Sequence, residues 1–237
     1  MTTIKIAHMY PREMNIYGDT GNLVVLMKRL EWRGLAAEAV AVGMGDKLPA
    51  DADIVLGGGG QDAAQGDIGE DFITRSADLR SMADDGVVML AICGAYQLLG
   101  REFRTQTGRV IRGAGVLDIE TQGSATRLIG NHAVDSEWGQ LVGYENHSGL
   151  TRLGDGVRAL ATTASGRGNN GEDDTEGAVR NNVFGTYLHG PLLAKSPAFA
   201  DELLRRAFER RAGQVLEPLD DALELQAAAA AAKRPRT

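Results

Sequence analysis

The chain has 237 residues, of which 43% are hydrophobic and 24% are charged, as in an ordinary globular protein with one α/β domain or one domain and a tail. Its net charge of −7 argues against nucleic acid or an anionic membrane surface as a partner. It contains one cysteine, which excludes an internal disulfide and fits a reducing compartment.

The sequence shows no sign of export or of membrane insertion. The first residues contain neither a basic start nor an apolar signal-peptide core. No segment approaches the roughly 18 apolar residues that a membrane-spanning helix needs. We therefore expect a cytoplasmic protein that does not span a membrane.

Strand-like and helix-like segments alternate through the first half of the chain. Short apolar segments predict strands over residues 4–9, 37–42, 53–56 and 87–92. Apolar residues at helical spacing predict helices from Asp19 or Thr20 to Gly34, over 68–85, and from Ala95 to Leu99. The alternation predicts an α/β fold with a mostly parallel central sheet and helices on both faces.

The second half is richer in Gly and Asn and predicts short strands over 113–119, 159–163 and 183–188. These strands suggest an antiparallel or mixed extension of the sheet. Ser196-Pro197 predicts the start of a helix that ends before Gly213. Residues 215–237 carry an alanine-rich stretch and a basic end. We predict one domain over 1–214, followed by a helical extension and a disordered tail over 215–237.

Cys93 is the candidate nucleophile. A lone cysteine is more often a small buried hydrophobic residue than a catalytic one. This one directly follows the apolar stretch VVMLAI and precedes Gly94, where a strand turns sharply into a helix. Such a turn exposes a nucleophile at the carboxyl edge of the sheet, and the helix N-terminus favours a thiolate. The amide of Gly94 would then face an oxyanion.

Four consecutive glycines, 57–60, follow another predicted strand. A phosphate-binding loop is excluded because no Gly-Lys-Ser/Thr follows them. Glycines allow main-chain N–H groups to approach a reacting carbonyl closely, so the loop could instead supply oxyanion donors.

A Cys–His pair also needs a base, and the chain has four histidines. His189 ends an apolar stretch at a predicted sheet edge, which favours it modestly over His147 in a Gly-rich loop. His8 and His132 could be structural. Arg127 is either a solvated surface arginine or a bidentate clamp for a carboxylate. The acidic loop over 169–174 lacks the spacing of a calcium loop, so no metal site is predicted.

These features together resemble the class I glutamine amidotransferases, specifically the cobyric-acid-synthase-like branch and, within it, the glutaminase subunits of lipid II isoglutaminyl synthases. The motifs that carry the resemblance span about residues 4–193: NIYGDTGN (15–22), LGGGGQD (56–62), AICGAYQLLG (91–100), TRLIGN (126–131), VGYENHSG (142–149), GNNGEDDTEG (168–177) and FGTYLHGP (184–191).

The resemblance implies a role for each candidate residue. It makes Cys93 the nucleophile, His189 the base and Arg127 a glutamine-binding residue. The loop containing Gly58 and Gly59 joins Gly94 as the oxyanion hole. Many class I amidotransferases carry a Glu two residues after the His, but this chain has Pro191 there. The group that orients His189 is therefore absent or supplied elsewhere.

The implied activity is the hydrolysis of L-glutamine to glutamate and ammonia. The chain shows no Walker loop, so no cofactor is expected in this subunit, and ATP and Mg²⁺ are expected on a partner. The resemblance implies a heterodimer with a MurT-like Mur ligase subunit, which amidates the D-glutamate α-carboxyl of lipid II in peptidoglycan synthesis.

Three alternatives remain open. The same glutaminase could serve another acceptor, such as a cobyric-acid-type corrinoid. The chain could be a different cysteine hydrolase that acts without a partner. It could also be a catalytically silent scaffold that binds a partner.

Overall fold

The computed structural model describes residues 2–60, 65–163 and 167–234. The strands in chain order are β1 (Thr3–Met9), β2 (Ala36–Val42), β3 (Ile54–Gly57), β4 (Val88–Ile92), β5 (Glu102–Arg104), β6 (Val110–Arg112), β7 (Ile119–Ser136), β8 (Gly139–Leu153), β9 (Ala161–Thr162), β10 (Thr175–Glu176), β11 (Ala178–Arg180) and β12 (Val183–Thr186). The helices are α1 (Thr20–Glu31), α2 (Gln65–Thr74), α3 (Ser76–Asp84), α4 (Gly94–Leu99), α5 (Pro197–Ala212) and α6 (Ala222–Ala232).

The central sheet has the order β11-β12-β4-β3-β1-β2 among the described residues. Every neighbouring pair is parallel except β11 and β12. All five residues of β4 are buried, as expected for a strand with a neighbour on each side and apolar residues on both faces. The predicted α/β fold with a mostly parallel central sheet is confirmed. The order also places the carboxyl ends of β3, β4 and β12 side by side.

The antiparallel strands of the second half form mostly a second sheet, while β11 alone extends the first one. The second sheet has the order β10-β9-β7-β5-β6, and β8 pairs with β7. The strands β7 and β8 form a long antiparallel hairpin that closes at the Ser136–Gly139 pair. Its polar and glycine-rich strands gave no apolar alternation from which they could be predicted.

The predicted strand over 113–119 is wrong, because β7 begins only at Ile119. The amides of Ala114, Val116 and Leu117 instead donate to the carbonyls of Leu98 and Leu99 at the end of α4. Those carbonyls have no partner within the helix, so this loop satisfies them.

The single helix predicted over 68–85 is two helices, α2 and α3, which meet at Arg75. The Arg75 guanidinium is buried and donates to Asp71, to the Tyr10 hydroxyl and to the carbonyls of Gly43 and Asp46. Apart from the one to Asp71, these bonds join Arg75 to residues far away in the sequence and hold the chain at the helix junction. The spacing of apolar residues therefore could not predict the junction.

The C-terminal helix α6 is anchored to α1 through the buried Arg29, which donates to Asp221 at 2.7 and 3.0 Å and to Asp201 of α5 at 2.6 Å. The division into a domain over 1–214 and an extension over 215–237 stays a prediction. The end of the predicted disordered tail, residues 235–237, lies outside the described residues.

Candidate active site

Cys93 occupies the turn between β4 and α4 with φ 50° and ψ −102°. Positive φ is unusual for a residue with a side chain, and such a conformation costs on the order of 1–3 kcal/mol unless its surroundings hold it. Here the Cys93 N–H donates to the Thr186 carbonyl at 2.8 Å, and its carbonyl accepts from the Gln97 N–H at 3.0 Å. The side chain is 8% exposed. The predicted sharp strand-to-helix turn is present at the carboxyl edge of the sheet.

His189 reaches the same edge from β12, the strand beside β4. Its backbone is fixed by a two-way bridge to Tyr144 of β8: the His189 N–H donates to the Tyr144 carbonyl at 2.9 Å, and the return bond measures 3.1 Å. Its side chain lies within interaction distance of Cys93 and is 1% exposed. The structure thus brings together the two residues predicted as nucleophile and base.

Asp19 supplies the group that orients His189, which could not be identified from the sequence. Its Oδ2 lies 2.9 Å from His189 Nδ1 and also accepts the Gly59 N–H at 2.8 Å. Asp19 is 3% exposed and directly precedes α1, 170 positions before the histidine. A carboxylate on Nδ1 directs the other ring nitrogen toward the thiol, which is the arrangement of a Cys–His–Asp triad. The only sequence signal was its presence in NIYGDTGN.

His189 is held in its charged form. Burial lowers its pKa, but the hydrogen bonds with Asp19 and Cys93 and their negative charges outweigh burial and raise the pKa to about 10. At neutral pH the ring is therefore an imidazolium. A cation beside a thiol favours the thiolate, which is the nucleophilic form.

The glycine loop after β3 lies close to the histidine. A Cβ at Gly59 would sit 2.4 Å from His189 Cε1, and a Cβ at Gly58 would sit 2.2 Å from the Met14 carbonyl oxygen, so neither position accommodates a side chain. The Gly59 N–H is bonded to Asp19, so in this structure it holds the orienting carboxylate. The oxyanion role of Gly58, Gly59 and Gly94 stays a prediction.

Arg127 lies on the exposed part of β7 and reaches the candidate site indirectly. Its Nε donates to Asn146 Oδ1 at 3.0 Å, and its Nη2 donates to the Asn146 carbonyl at 3.3 Å. Asn146 in turn donates to the hydroxyl of Tyr17, whose ring centroid is 5.1 Å from that of His189. The role of Arg127 in glutamine binding stays a prediction.

The other three histidines have different surroundings. His147 stacks on Tyr187 at 3.5 Å and contacts the Gly149 carbonyl, while His132 bonds to the buried Glu145 at 3.1 Å. His8 lies on β1, where burial lowers its pKa and the charge of Asp19 opposes that effect. Sequence reasoning missed the cluster around Glu145, because β7 and β8 were not recognised as a hairpin.

Within residues 2–60, 65–163 and 167–234, no group of three or more His, Cys, Asp and Glu side chains could hold a metal ion. No helix in these ranges is long and apolar enough to cross a membrane.

Residues 5–197 match the family model of the CobB/CobQ-like glutamine amidotransferase domain. The chain belongs to this family of glutamine amidotransferases. The predicted family and glutaminase fold are confirmed by this match together with the site geometry.

Relatives in two branches of the family are similar to the chain. It is 36% identical to the glutamine-hydrolysing subunit GatD of lipid II isoglutaminyl synthase from Staphylococcus aureus, over 96% of this chain and 94% of that one. It is 32% identical to cobyric acid synthase from Rhizobium etli, over 79% of this chain but only 40% of that protein. The fold resembles the crystal structure of a Thermotoga maritima glutamine amidotransferase, with a TM-score of 0.56 at 15% identity over 97% of this chain and 92% of that one.

Proposed function

We propose that this chain is the glutaminase subunit of a lipid II isoglutaminyl synthase. It hydrolyses L-glutamine and supplies ammonia to a MurT-like ATP-dependent ligase, which amidates the D-glutamate α-carboxyl of lipid II. One observation supports the proposed glutaminase activity above all. Cys93, His189 and Asp19 are buried next to one another at the sheet edge of an amidotransferase fold. The acceptor rests on the similarity to GatD over nearly the full length of both chains.

The reaction follows from the geometry. The Cys93 thiolate attacks the side-chain carbonyl carbon of glutamine, and main-chain amides at Gly58 and Gly94 stabilise the oxyanion. His189, protonated at neutral pH, gives its proton to the leaving nitrogen, so ammonia departs and a thioester remains. The now neutral ring removes a proton from water, which attacks the thioester. Glutamate leaves, and the thiolate and imidazolium are restored.

Asp19 acts as a positioning residue in this mechanism. It holds Nδ1, so Nε2 is the nitrogen that exchanges the proton with the thiol, the leaving group and the water. It also stabilises the imidazolium that is present before the first proton transfer and that forms again when the ring takes a proton from water. Arg127 would bind the α-carboxylate of glutamine through its guanidinium fork.

The remaining parts of the proposal concern what lies outside this chain. Amidation of a carboxylate by ammonia requires prior activation, so ATP and Mg²⁺ are assigned to the ligase partner, and no cofactor is assigned to this subunit. The unpaired thiol supports a cytoplasmic location, where thiols stay reduced.

The first test measures glutamate release from glutamine by the wild type and by Cys93→Ala, each with and without a co-expressed Mur-ligase-like partner. We expect release by the wild type and none by Cys93→Ala. Greater release with the partner supports the two-subunit enzyme. If the wild type releases no glutamate in either setting, the glutaminase assignment is wrong and the scaffold alternative replaces it.

A second test identifies the acceptor. The co-expressed pair is supplied with ATP, Mg²⁺, glutamine and lipid II, or with a corrinoid carboxylate in its place, and the products are weighed by mass spectrometry. We expect amidated lipid II only. Ammonium chloride in place of glutamine is the control, because it should restore amidation to the pair that carries Cys93→Ala. If only the corrinoid were amidated, the chain would be assigned to the cobyric-acid branch instead.

A further inference from the structure

Tyr17 covers the candidate catalytic histidine. Its ring lies edge-on to His189 with centroids 5.1 Å apart, and edge-on to Tyr144 at 5.2 Å. The side chain is 45% exposed, whereas His189 is 1% exposed and Cys93 is 8% exposed. Glutamine must reach the thiol and the imidazole, so a covering group has to move. Tyr17 contacts His189 and is exposed, so it is such a group among the described residues.

The backbone at Tyr17 is in an unfavourable conformation. Its φ of 58° lies in the left-handed region, which an aromatic residue adopts only when other contacts hold it there. Gly18 follows with φ 78°, so the turn contains two consecutive residues with positive φ. The next residue is Asp19, which holds His189. The cover and the orienting carboxylate therefore lie on one short segment.

Asn146 connects this cover to Arg127. Its side-chain Nδ2 donates to the Tyr17 hydroxyl, and its side-chain Oδ1 accepts from Arg127 Nε at 3.0 Å. Arg127 Nη2 donates to the Asn146 main-chain carbonyl at 3.3 Å. The Nε–Nη2 edge of a guanidinium is one of the edges that bind a carboxylate with two parallel bonds. In this structure Asn146 occupies that edge.

We propose that Asn146 and Tyr17 sense the carboxylate of the substrate: a carboxylate on the Nε–Nη2 edge of Arg127 displaces Asn146, and Tyr17 then leaves His189. The displacement is favourable because a carboxylate brings a negative charge to the guanidinium and accepts two parallel hydrogen bonds from it, whereas the acceptors of Asn146 are neutral. The inference rests on the proposed glutaminase function and names two residues that couple substrate recognition to access. Substrate-sized amides without the carboxylate leave the cover closed.

The test uses Cys93 as the reporter, since it is the single cysteine of the chain. Alkylation by iodoacetamide, followed by intact mass, measures access to the thiol without any need for glutamine hydrolysis. We expect Tyr17→Ala, Tyr17→Phe and Asn146→Ala to raise the alkylation rate about fivefold, the population change expected from the loss of one hydrogen bond. The double variant Tyr17→Phe/Asn146→Ala should add little to either single change, because both break the same bond.

The matched control is Asn182→Ala. Asn182 donates to the Gly86 carbonyl at the amino end of β12, whereas His189 follows the carboxyl end of that strand, and this variant should be alkylated at the wild-type rate. Thermal unfolding identifies any variant that has lost its fold. Tyr17→Phe removes only the hydroxyl, so it keeps the comparison valid if the alanine variants unfold.

A second arm tests the carboxylate. Glycine carries the α-carboxylate and no side-chain amide, so it can bind Arg127 and leave the thiol open. We expect glycine to accelerate alkylation of the wild type, glycinamide not to do so, and Arg127→Ala to be fast and insensitive to glycine. Wild-type alkylation rates in both Tyr17→Phe and Asn146→Ala overturn the proposal, as does the absence of any glycine effect on the wild type. Glutamate release by the wild type separately decides the proposed function.

Discussion

Among the residues that the structure describes, two buried clusters pair histidine with a carboxylate, and they differ in what surrounds the carboxylate. In the candidate active site, His189 lies between Asp19 and the thiol of Cys93. In the second cluster, Glu145 of β8 contacts His132 of β7 and Arg167. The two clusters lie close together, because Tyr144, which fixes the backbone of His189, is the neighbour of Glu145.

Both carboxylate oxygens of Glu145 accept hydrogen bonds. One oxygen accepts from Arg167 at 2.8 Å, and the other accepts from His132 and from the Gly168 N–H, both at 3.1 Å. Burial raises the pKa of Glu145, but the hydrogen bonds from His132, His147 and Arg167 outweigh it and hold the pKa well below its usual range. No nucleophile is part of this set. The cluster joins the strands of the hairpin.

Each cluster leaves one buried polar atom without a hydrogen-bond partner among the described residues, Asp19 Oδ1 in the first and His147 Nε2 in the second. The active-site cluster differs in containing a thiol, and Cys93 is held at an unfavourable φ. Backbone strain reduces stability, and it is retained where a reaction requires it. The comparison teaches that residue types alone do not distinguish a catalytic His–carboxylate pair from a structural one. The neighbouring thiol and its strained backbone do.

The largest expected effect is the loss of glutaminase activity when His189 is replaced. We expect His189→Gln to lower glutaminase activity by about a thousandfold or more, because it removes the proton donor and acceptor. His132→Gln, the matched change in the other cluster, should retain most of the activity. Glutamate release at saturating glutamine measures both. If the two variants lost the same amount of glutaminase activity, the two clusters would not differ in their importance for catalysis.

Asp19→Asn should lower glutaminase activity by about a hundredfold or more while the protein stays folded, because the amide no longer fixes the ring tautomer. It should also lower the pKa of His189 from about 10, since the hydrogen bond and charge of Asp19 raise that pKa. An NMR titration of the His189 ring tests the second point. An unchanged pKa would show that Cys93 alone holds the ring charged.

Glu145→Ala should act on stability. Removing Glu145 leaves the charge of Arg167 and the ring of His132 without their hydrogen-bond acceptor, and the free energy of unfolding should fall by about 3 kcal/mol or more. Denaturant unfolding measures the change. The control is Glu172→Ala, which breaks the exposed pair with Arg152 and should cost less than about 1 kcal/mol. Similar losses in the two variants would show that Glu145 does not anchor the hairpin.

The smallest expected effect is a pH dependence of stability. The folded pKa of Glu145 lies below its ordinary value of 4.5, so its stabilisation is complete above pH 4.5 and is lost as the pH falls below that value. The difference in melting temperature between the wild type and Glu145→Gln should therefore narrow as the pH falls from 5 toward 3. A difference that widens over this range would contradict the assigned direction.

Local signals predicted the parts of the site that lie on single elements. The stretch VVMLAI before Cys93 predicted a buried strand, and the following Gly94 predicted the turn. His189 was predicted at a sheet edge because an apolar stretch ends there, and β12 proved to be the strand beside β4. The oxyanion interpretation of Gly59 did not anticipate its bond to Asp19, since that bond joins residues 40 positions apart.

The sequence by itself determined the class of fold and the family and predicted the two reacting residues, because strand periodicity, turn chemistry and motifs depend on neighbouring residues. Only the tertiary structure decided that Asp19 orients His189, that Asn146 ties Arg127 to Tyr17, and that Glu145 gathers two histidines and an arginine. Each of these contacts depends on which strand lies beside which and on the register of the β7–β8 hairpin. Packing of the whole chain fixes those features, and no local pattern encodes them.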